Sequence, residues 1–134
     1  MDLLRRIFGF FRRKKNIGQI AEDAAAKFLK KEKGLKILAR NYRKGRYETD
    51  IIAFDKPGRV IVFAEVKCRP VYAKVRGFFA AASKRKKECL KKSAKAFLRE
   101  SRAFGMGYRF DVIEVEHDGN QKIVEIRHIE NAFF

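Results

Sequence analysis

Tyr47-Glu48-Thr49-Asp50-Ile51-Ile52-Ala53-Phe54-Asp55-Lys56-Pro57-Gly58-Arg59-Val60-Ile61-Val62-Phe63-Ala64-Glu65-Val66-Lys67-Cys68-Arg69 is the stretch around which the rest of the chain is arranged. Residues 48–54 and 59–67 are rich in Ile, Val and Phe, and Asp55 to Gly58 between them carry turn chemistry, so the stretch reads as a β-hairpin. Side chains alternate along a strand, which puts Glu48 with Asp50 and Glu65 with Lys67. A four-residue loop over 55–58 pairs Phe54 with Arg59, Asp50 with Phe63 and Glu48 with Glu65. All four ionisable groups then share one face. A slip of one residue would separate them.

Charged groups in a half-buried apolar sheet are costly unless something binds them. Three carboxylates at close range repel one another, and a hard cation such as Mg²⁺ or Mn²⁺ relieves this through oxygen ligands. A solvated charged face on an antiparallel hairpin is the plainer alternative. Asp50, followed after fourteen residues by Glu65-Val66-Lys67, resembles the Asp…Glu-x-Lys core of the PD-(D/E)XK nucleases.

The 134 residues suit one domain with one core, and 46% hydrophobic with 37% charged residues excludes a disordered chain. Lys and Arg total 33 against 16 Asp and Glu, a net charge of +17. Such an excess calls for an anionic partner, with a nucleic-acid backbone first in line and a membrane surface or ribosome behind it. Only two cysteines are present, Cys68 and Cys89, with no C-x-x-C. A structural zinc site is therefore not expected, and a reduced, cytoplasmic setting is.

Residues 1–15 interleave Leu3, Leu4, Ile7, Phe8, Phe10 and Phe11 with arginines and lysines. The arginines interrupt them well short of the ~18 apolar residues of a membrane span. They form a basic amphipathic extension with no assigned site, and contact with a membrane surface is the less favoured use of it. Residues 16–134 form the single domain. Asn16 with Gln19 makes a capping-box start and Gly34 a stop for a first helix, with Glu22 bordering its apolar stripe. Leu35–Tyr42 reads as a strand leading into the hairpin.

After the hairpin, residues 69–82 read as a loop in which Arg69, Lys74 and Arg76 are interleaved with aromatics, a pattern able to stack bases and grip phosphates or, equally, to fold the loop on its own apolar residues. Residues 83–102 read as a second helix, buried through Leu90, Ala94, Phe97 and Leu98. Nine Lys and Arg against two Glu cover the rest of it. A solvated helix face normally mixes signs, so Lys84, Arg85, Lys87 and Lys91 are candidate phosphate contacts. Strands at 108–116 and 121–129, joined through Asp118-Gly119, complete the order αβββαββ. Arg109 and Asp111 share a face and are expected to pair with neighbours. His117 and His128 receive no chemistry.

In Gly18-x-x-x-Glu22-x-x-Ala25, Asn41-Tyr42-Arg43, Glu48-Thr49-Asp50-Ile51-Ile52, Val62-Phe63-Ala64-Glu65-Val66-Lys67, Arg109-Phe110-Asp111-Val112 and Asn131-Ala132-Phe133, the chain resembles the YraN-like family of small bacterial proteins. That family is similar to archaeal Holliday-junction resolvases. The resemblance implies an α/β (α+β) restriction-endonuclease-like core, a central mixed sheet flanked by helices. It also implies a metal-dependent endonuclease acting on DNA, including branched or otherwise structured DNA. By motif, the catalytic residues fall on Glu22, Asp50, Glu65 and Lys67, with Asp50, Glu65 and the Val66 carbonyl as metal donors. Resolving a junction takes two symmetric cuts, which would imply a homodimer. A non-catalytic nucleic-acid-binding protein on the same fold is the competing expectation. Two positions depart from the family's usual Gly-Glu-Ile-Asp: Tyr47 replaces the glycine and Thr49 the apolar residue.

Overall fold

Helix α1 (Ile17–Lys31) starts as its sequence dictates. The Asn16 side chain accepts from the Gln19 N–H at 2.9 Å, and the Gln19 side chain accepts from the Asn16 N–H at 3.1 Å. Lys30 and Lys31 in the last turn oppose the negative end of the helix dipole. Beyond it, Gly34 takes φ 67, a conformation that L side chains avoid, and the chain reverses into the sheet. The computed structural model describes residues 14–72, 84–103 and 105–133. The expected contributions of residues 1–13, and of Lys74 and Arg76, lie outside the described residues.

Five strands make one sheet in the order β1 (Lys36–Lys44), β2 (Tyr47–Asp55), β3 (Val60–Pro70), β4 (Gly107–His117), β5 (Ile123–Phe133). The β1/β2, β2/β3 and β4/β5 pairs are antiparallel, and β3/β4 is parallel. A parallel neighbour requires a long crossover, and the segment carrying helix α2 (Lys84–Glu100) supplies it. The sheet is mixed and the order is αβββαββ, a restriction-endonuclease-like core.

Each face of the sheet carries a helix. Ala21, Ala25, Ala26 and Leu29 of α1 pack on Ile51, Ala53, Val62, Ala64, Ile113 and Val115. Alanines on this stripe let the helix approach closely, and burying Leu29 contributes roughly 1.5–3 kcal/mol. On the other face Leu90 and Ala94 of α2 pack on Ile52, Ile61, Phe63, Phe110, Val112 and Phe133. The far end of α2 is tied to β1 by the Tyr42 hydroxyl, which donates to Glu100 at 2.8 Å.

Three details differ from the sequence reading. The hairpin turn is Lys56–Arg59 rather than 55–58, with Arg59 at φ 53, so Ile52 rather than Asp50 pairs with Phe63. The change of register is two residues, an even number, so the paired residues from Ile51 onward keep their expected face, whereas before Asp50 the strand turns and Glu48 goes to Arg43 instead of joining the shared face. Arg69 and Pro70 belong to β3 rather than to a loop. The closing residues 130–133 are strand, not tail: Phe133 pairs with Phe110 and is 5% exposed in the α2-side core.

Candidate metal and nucleic-acid site

Strand β2 does not run straight through its functional residues. Its pairing with β1 passes from Arg40↔Ile51 to Tyr42↔Thr49, skipping Asn41 and Asp50, and Asn41 sits at φ 50. Ile51 lies in the core beneath α1, whereas Thr49 reaches α2, where its hydroxyl is 2.7 Å from that of Ser93. Residues two apart on one strand thus contact opposite helices, so the strand turns at Asp50. Its ladder with β3 stops at Ile51↔Ala64. One step beyond, the Val66 N–H donates to Asp50 Oδ2 at 2.8 Å, so the Asp50 carboxylate takes the place of a ladder partner.

That bond brings Asp50 against Glu65, a carboxylate only 5% exposed. Burial first, then the charge of Glu65, push the Asp50 pKa up to about 7. The Val66 N–H works against this shift, and Glu22 adds to it. Two ammonium groups attend Glu65: Lys67 at 3.6 Å and Lys86, from α2, at 2.9 Å. Burial opposes the charge on Lys86, but its bond to Glu65 and the fields of Glu65, Asp50 and Glu48 outweigh that, and its pKa is raised.

Of the residues singled out from sequence, Asp50, Glu65, Val66 and Lys67 therefore come together. Glu22 stands further off, within the electrostatic reach of Asp50, in a pocket of about 250 Å³ lined by Lys15, Gln19, Glu22, Asp23, Arg40 and Asn41. Its pKa is raised by burial, with Arg40 and Asn41 opposing and Glu48 and Asp23 adding. Glu48 turns to Arg43 at 2.9 Å. Among the described residues no group of three or more Asp, Glu, His or Cys closes to metal-holding distance. Two contiguous carboxylates with a third at longer range still fit a hard cation that keeps several waters, as Mg²⁺ does. Lys86 already seats one positive charge on Glu65.

Lys86 was absent from the sequence reading, although a signal for it existed. It stands four residues before Leu90 and seven before Ser93, in line with the buried stripe of α2, so helical spacing aims it toward the sheet although its side chain is 45% exposed. The candidate phosphate contacts divide. Lys84, Arg85 and Lys91 are exposed on α2, and the Lys87 ammonium lies 5.5 Å from the centre of the Phe133 ring. Arg69 is turned inward, with its side chain 14% exposed and 2.6 Å from Glu114, and so stands apart from the exposed cationic surface.

Both departures from the family pattern face α2. Thr49 is fully buried and its hydroxyl is satisfied by Ser93. Tyr47 meets Lys92, whose ammonium donates to the phenol oxygen at 3.3 Å.

Fold and site together define an α+β domain with a restriction-endonuclease-like core whose acidic pair sits where the central strands part. The family assignment agrees with this: residues 21–115 match the uncharacterised protein family UPF0102, and the chain belongs to it. A UPF0102 protein of Caldicellulosiruptor saccharolyticus is 40% identical over 120 residues, 90% of this chain and 98% of the relative. One of Pelotomaculum thermopropionicum is 37% identical over 122 residues, covering 90% and 97%. No helix among the described residues is long and apolar enough to cross a membrane.

Proposed function

We propose that this protein is a metal-dependent endonuclease that hydrolyses phosphodiester bonds in DNA, with branched or otherwise structured DNA as its substrate. The observation that carries the reading is the Asp50/Glu65 pair, two carboxylates pressed together in a half-buried site with lysines beside them. A fold gains nothing from such a pair unless a cation relieves it. Asp50 and Glu65 would hold Mg²⁺ or Mn²⁺, with the Val66 carbonyl as a further donor and Glu22 acting through water. Such an ion polarises a phosphoryl oxygen and lowers the pKa of bound water. Lys67 orients the attacking water or offsets charge growing at the phosphorus, and the exposed cations of α2 hold the backbone. A junction-resolving activity would further require two copies of the chain for symmetric cuts. We infer a cytoplasmic setting, in keeping with the free thiols of Cys68 and Cys89.

A second reading, a nucleic-acid-binding protein without catalysis, draws support from Lys86, which already neutralises Glu65 from within. Both readings predict binding that falls steeply with salt, so cleavage must separate them. Labelled linear, flapped and four-way DNA, and RNA, are incubated with Mg²⁺ or Mn²⁺. Cleavage by the wild type, lost in Asp50→Ala and Lys67→Ala while binding persists, is the expected result. Intact binding with no cleavage of any substrate would leave the binding protein.

A further inference from the structure

Tyr47 is the centre of a second, distinct arrangement. A shallow pocket of about 140 Å³ is lined by Arg46, Tyr47, Arg85, Glu88, Cys89 and Lys92. Three cations and one carboxylate surround one phenol. The Lys92 ammonium lies 5.2 Å from the centre of the Tyr47 ring and donates to its oxygen at 3.3 Å, and the Arg46 guanidinium lies 5.7 Å from the ring centre on a separate segment. Lysine and arginine are donors only. The phenol accepts from Lys92, and among the described residues its own O–H is bonded to no acceptor, which leaves it able to donate to one from outside.

Among the described residues Arg46, Arg85 and Lys92 enter no ion pair, whereas Lys86, next to Arg85, is seated on Glu65. Successive residues of α2 therefore address the two places. Lys86 turns to the acidic pair, while Arg85, Glu88, Cys89 and Lys92, at helical spacing, turn to Tyr47. Along β2, Tyr47 lies three residues from Asp50, roughly 10 Å at ~3.3 Å per residue. A ligand that reached both would be a chain of anions carrying repeated negative charge at short intervals.

We propose that Tyr47, Arg46, Arg85 and Lys92 form a phosphate-binding subsite for the nucleic-acid strand whose neighbouring phosphate lies at Asp50 and Glu65. Arg46 and Lys92 neutralise the phosphate, Arg85 closes its open side, and the Tyr47 hydroxyl donates to one of its oxygens. The ring holds both cations in place before the strand arrives, which lowers the ordering cost of binding. The subsite sets which strand segment is presented to the acidic pair. It rests on the nuclease reading for the identity of its ligand, but its test does not depend on cleavage.

The intact chain is titrated against labelled single-stranded, duplex and four-way DNA in EDTA at several salt concentrations, with anisotropy as readout and thermal melting as a folding control. Arg46→Gln/Lys92→Gln is expected to bind about tenfold more weakly at low salt and to lower the slope of log affinity against log salt by about 1. Arg46→Lys/Lys92→Arg restores the slope. Tyr47→Phe weakens binding a few-fold with the slope unchanged. One neutral methylphosphonate, walked along the strand, weakens the wild type at a single position and adds nothing in the Gln double variant. Wild-type binding with slope and affinity unaltered in the Gln double variant overturns the subsite alone. A wild type that binds no nucleic acid overturns both the subsite and the nuclease reading. Equal, residue-dependent binding of a polyglutamate peptide identifies an acidic protein as the occupant and overturns the assignment.

Discussion

Asp50 on β2 and Asp111 on β4 are acidic side chains in the interior of one sheet, and the fold treats them in opposite ways. Asp111, fully buried, accepts from Arg109 Nε at 3.1 and 3.2 Å, lies 2.7 Å from His128 Nε2 and accepts from the Asn131 N–H at 2.9 Å. Glu114, nearby on the same strand, is held by Arg69 at 2.6 Å and Arg127 at 3.1 Å. Asp50 is given one N–H and another carboxylate. Buried acids whose oxygens are all taken hold a structure together. A half-buried acid left facing another acid is in a condition that stability alone does not select, and such a condition points to a ligand.

The sharpest way to break that comparison is to remove each acid in turn. Asp111→Ala takes the acceptor from the buried His128 and from the Asn131 N–H and leaves Arg109 with Asp55 and Glu130 alone, and breaking a buried pair in this way costs about 3–5 kcal/mol. Denaturant melts should register a loss of that order. Asp50→Asn keeps an acceptor for the Val66 N–H and removes a like charge, so the metal-free protein should be no less stable than wild type, within about 1 kcal/mol. A large loss at Asp50 and a small one at Asp111 would reverse the assignment of structural and functional acid.

Proton linkage sharpens it next. Asp50 keeps its proton in the folded state to about pH 7, whereas its ordinary value is 3.8. The folded state therefore binds more protons than the unfolded chain between those limits, and this group's contribution is present below about pH 4 and lost as pH rises through about 7. Relative to Asp50→Asn, the metal-free wild type should lose on the order of 2–4 kcal/mol across that window. Mn²⁺ added above pH 7 should raise the wild-type melting temperature by mass action and leave that of Asp50→Asn unmoved. Parallel pH profiles for the two proteins would remove Asp50 from the account.

How much of this was readable beforehand depends on whether a feature is local. The capping box at Asn16 and Gln19 is a property of four consecutive residues, and it forms as written. Asp50 and Glu65 still meet despite a misplaced turn because the error was even, whereas Glu48 is lost to Arg43 where the strand turns. By contrast, Lys86 looked like one of nine interchangeable cations until α2 was laid on the sheet beside Glu65. His128 looked idle because its partner, Asp111, lies on another strand. Strand residues 130–133 were hidden by Asn131, which takes φ 52, a conformation unusual in a strand. Arg69 read as a loop cation because nothing local announces that β3 continues to Pro70 and meets Glu114.

The smallest effect concerns Thr49, the polar residue placed where the family usually has an apolar one. Its hydroxyl and that of Ser93 are both fully buried and satisfy each other at 2.7 Å, one donating and one accepting. Thr49→Val preserves shape but leaves the Ser93 hydroxyl without its partner, at about 1–3 kcal/mol, the desolvation penalty of an unpaired buried group. Ser93→Ala should do the same to Thr49. The double variant removes both polar groups at once and should recover most of the loss, so the cycle should give a coupling of about 1 kcal/mol or more. Strict additivity would mean that water reaches these hydroxyls, and β2 would then not be clamped to α2 beside Asp50. A real coupling makes this bond the neutral counterpart of the Lys86 to Glu65 contact. One fixes the strand to the helix whatever the pH, and the other would give way only if the proposed metal ion takes Glu65.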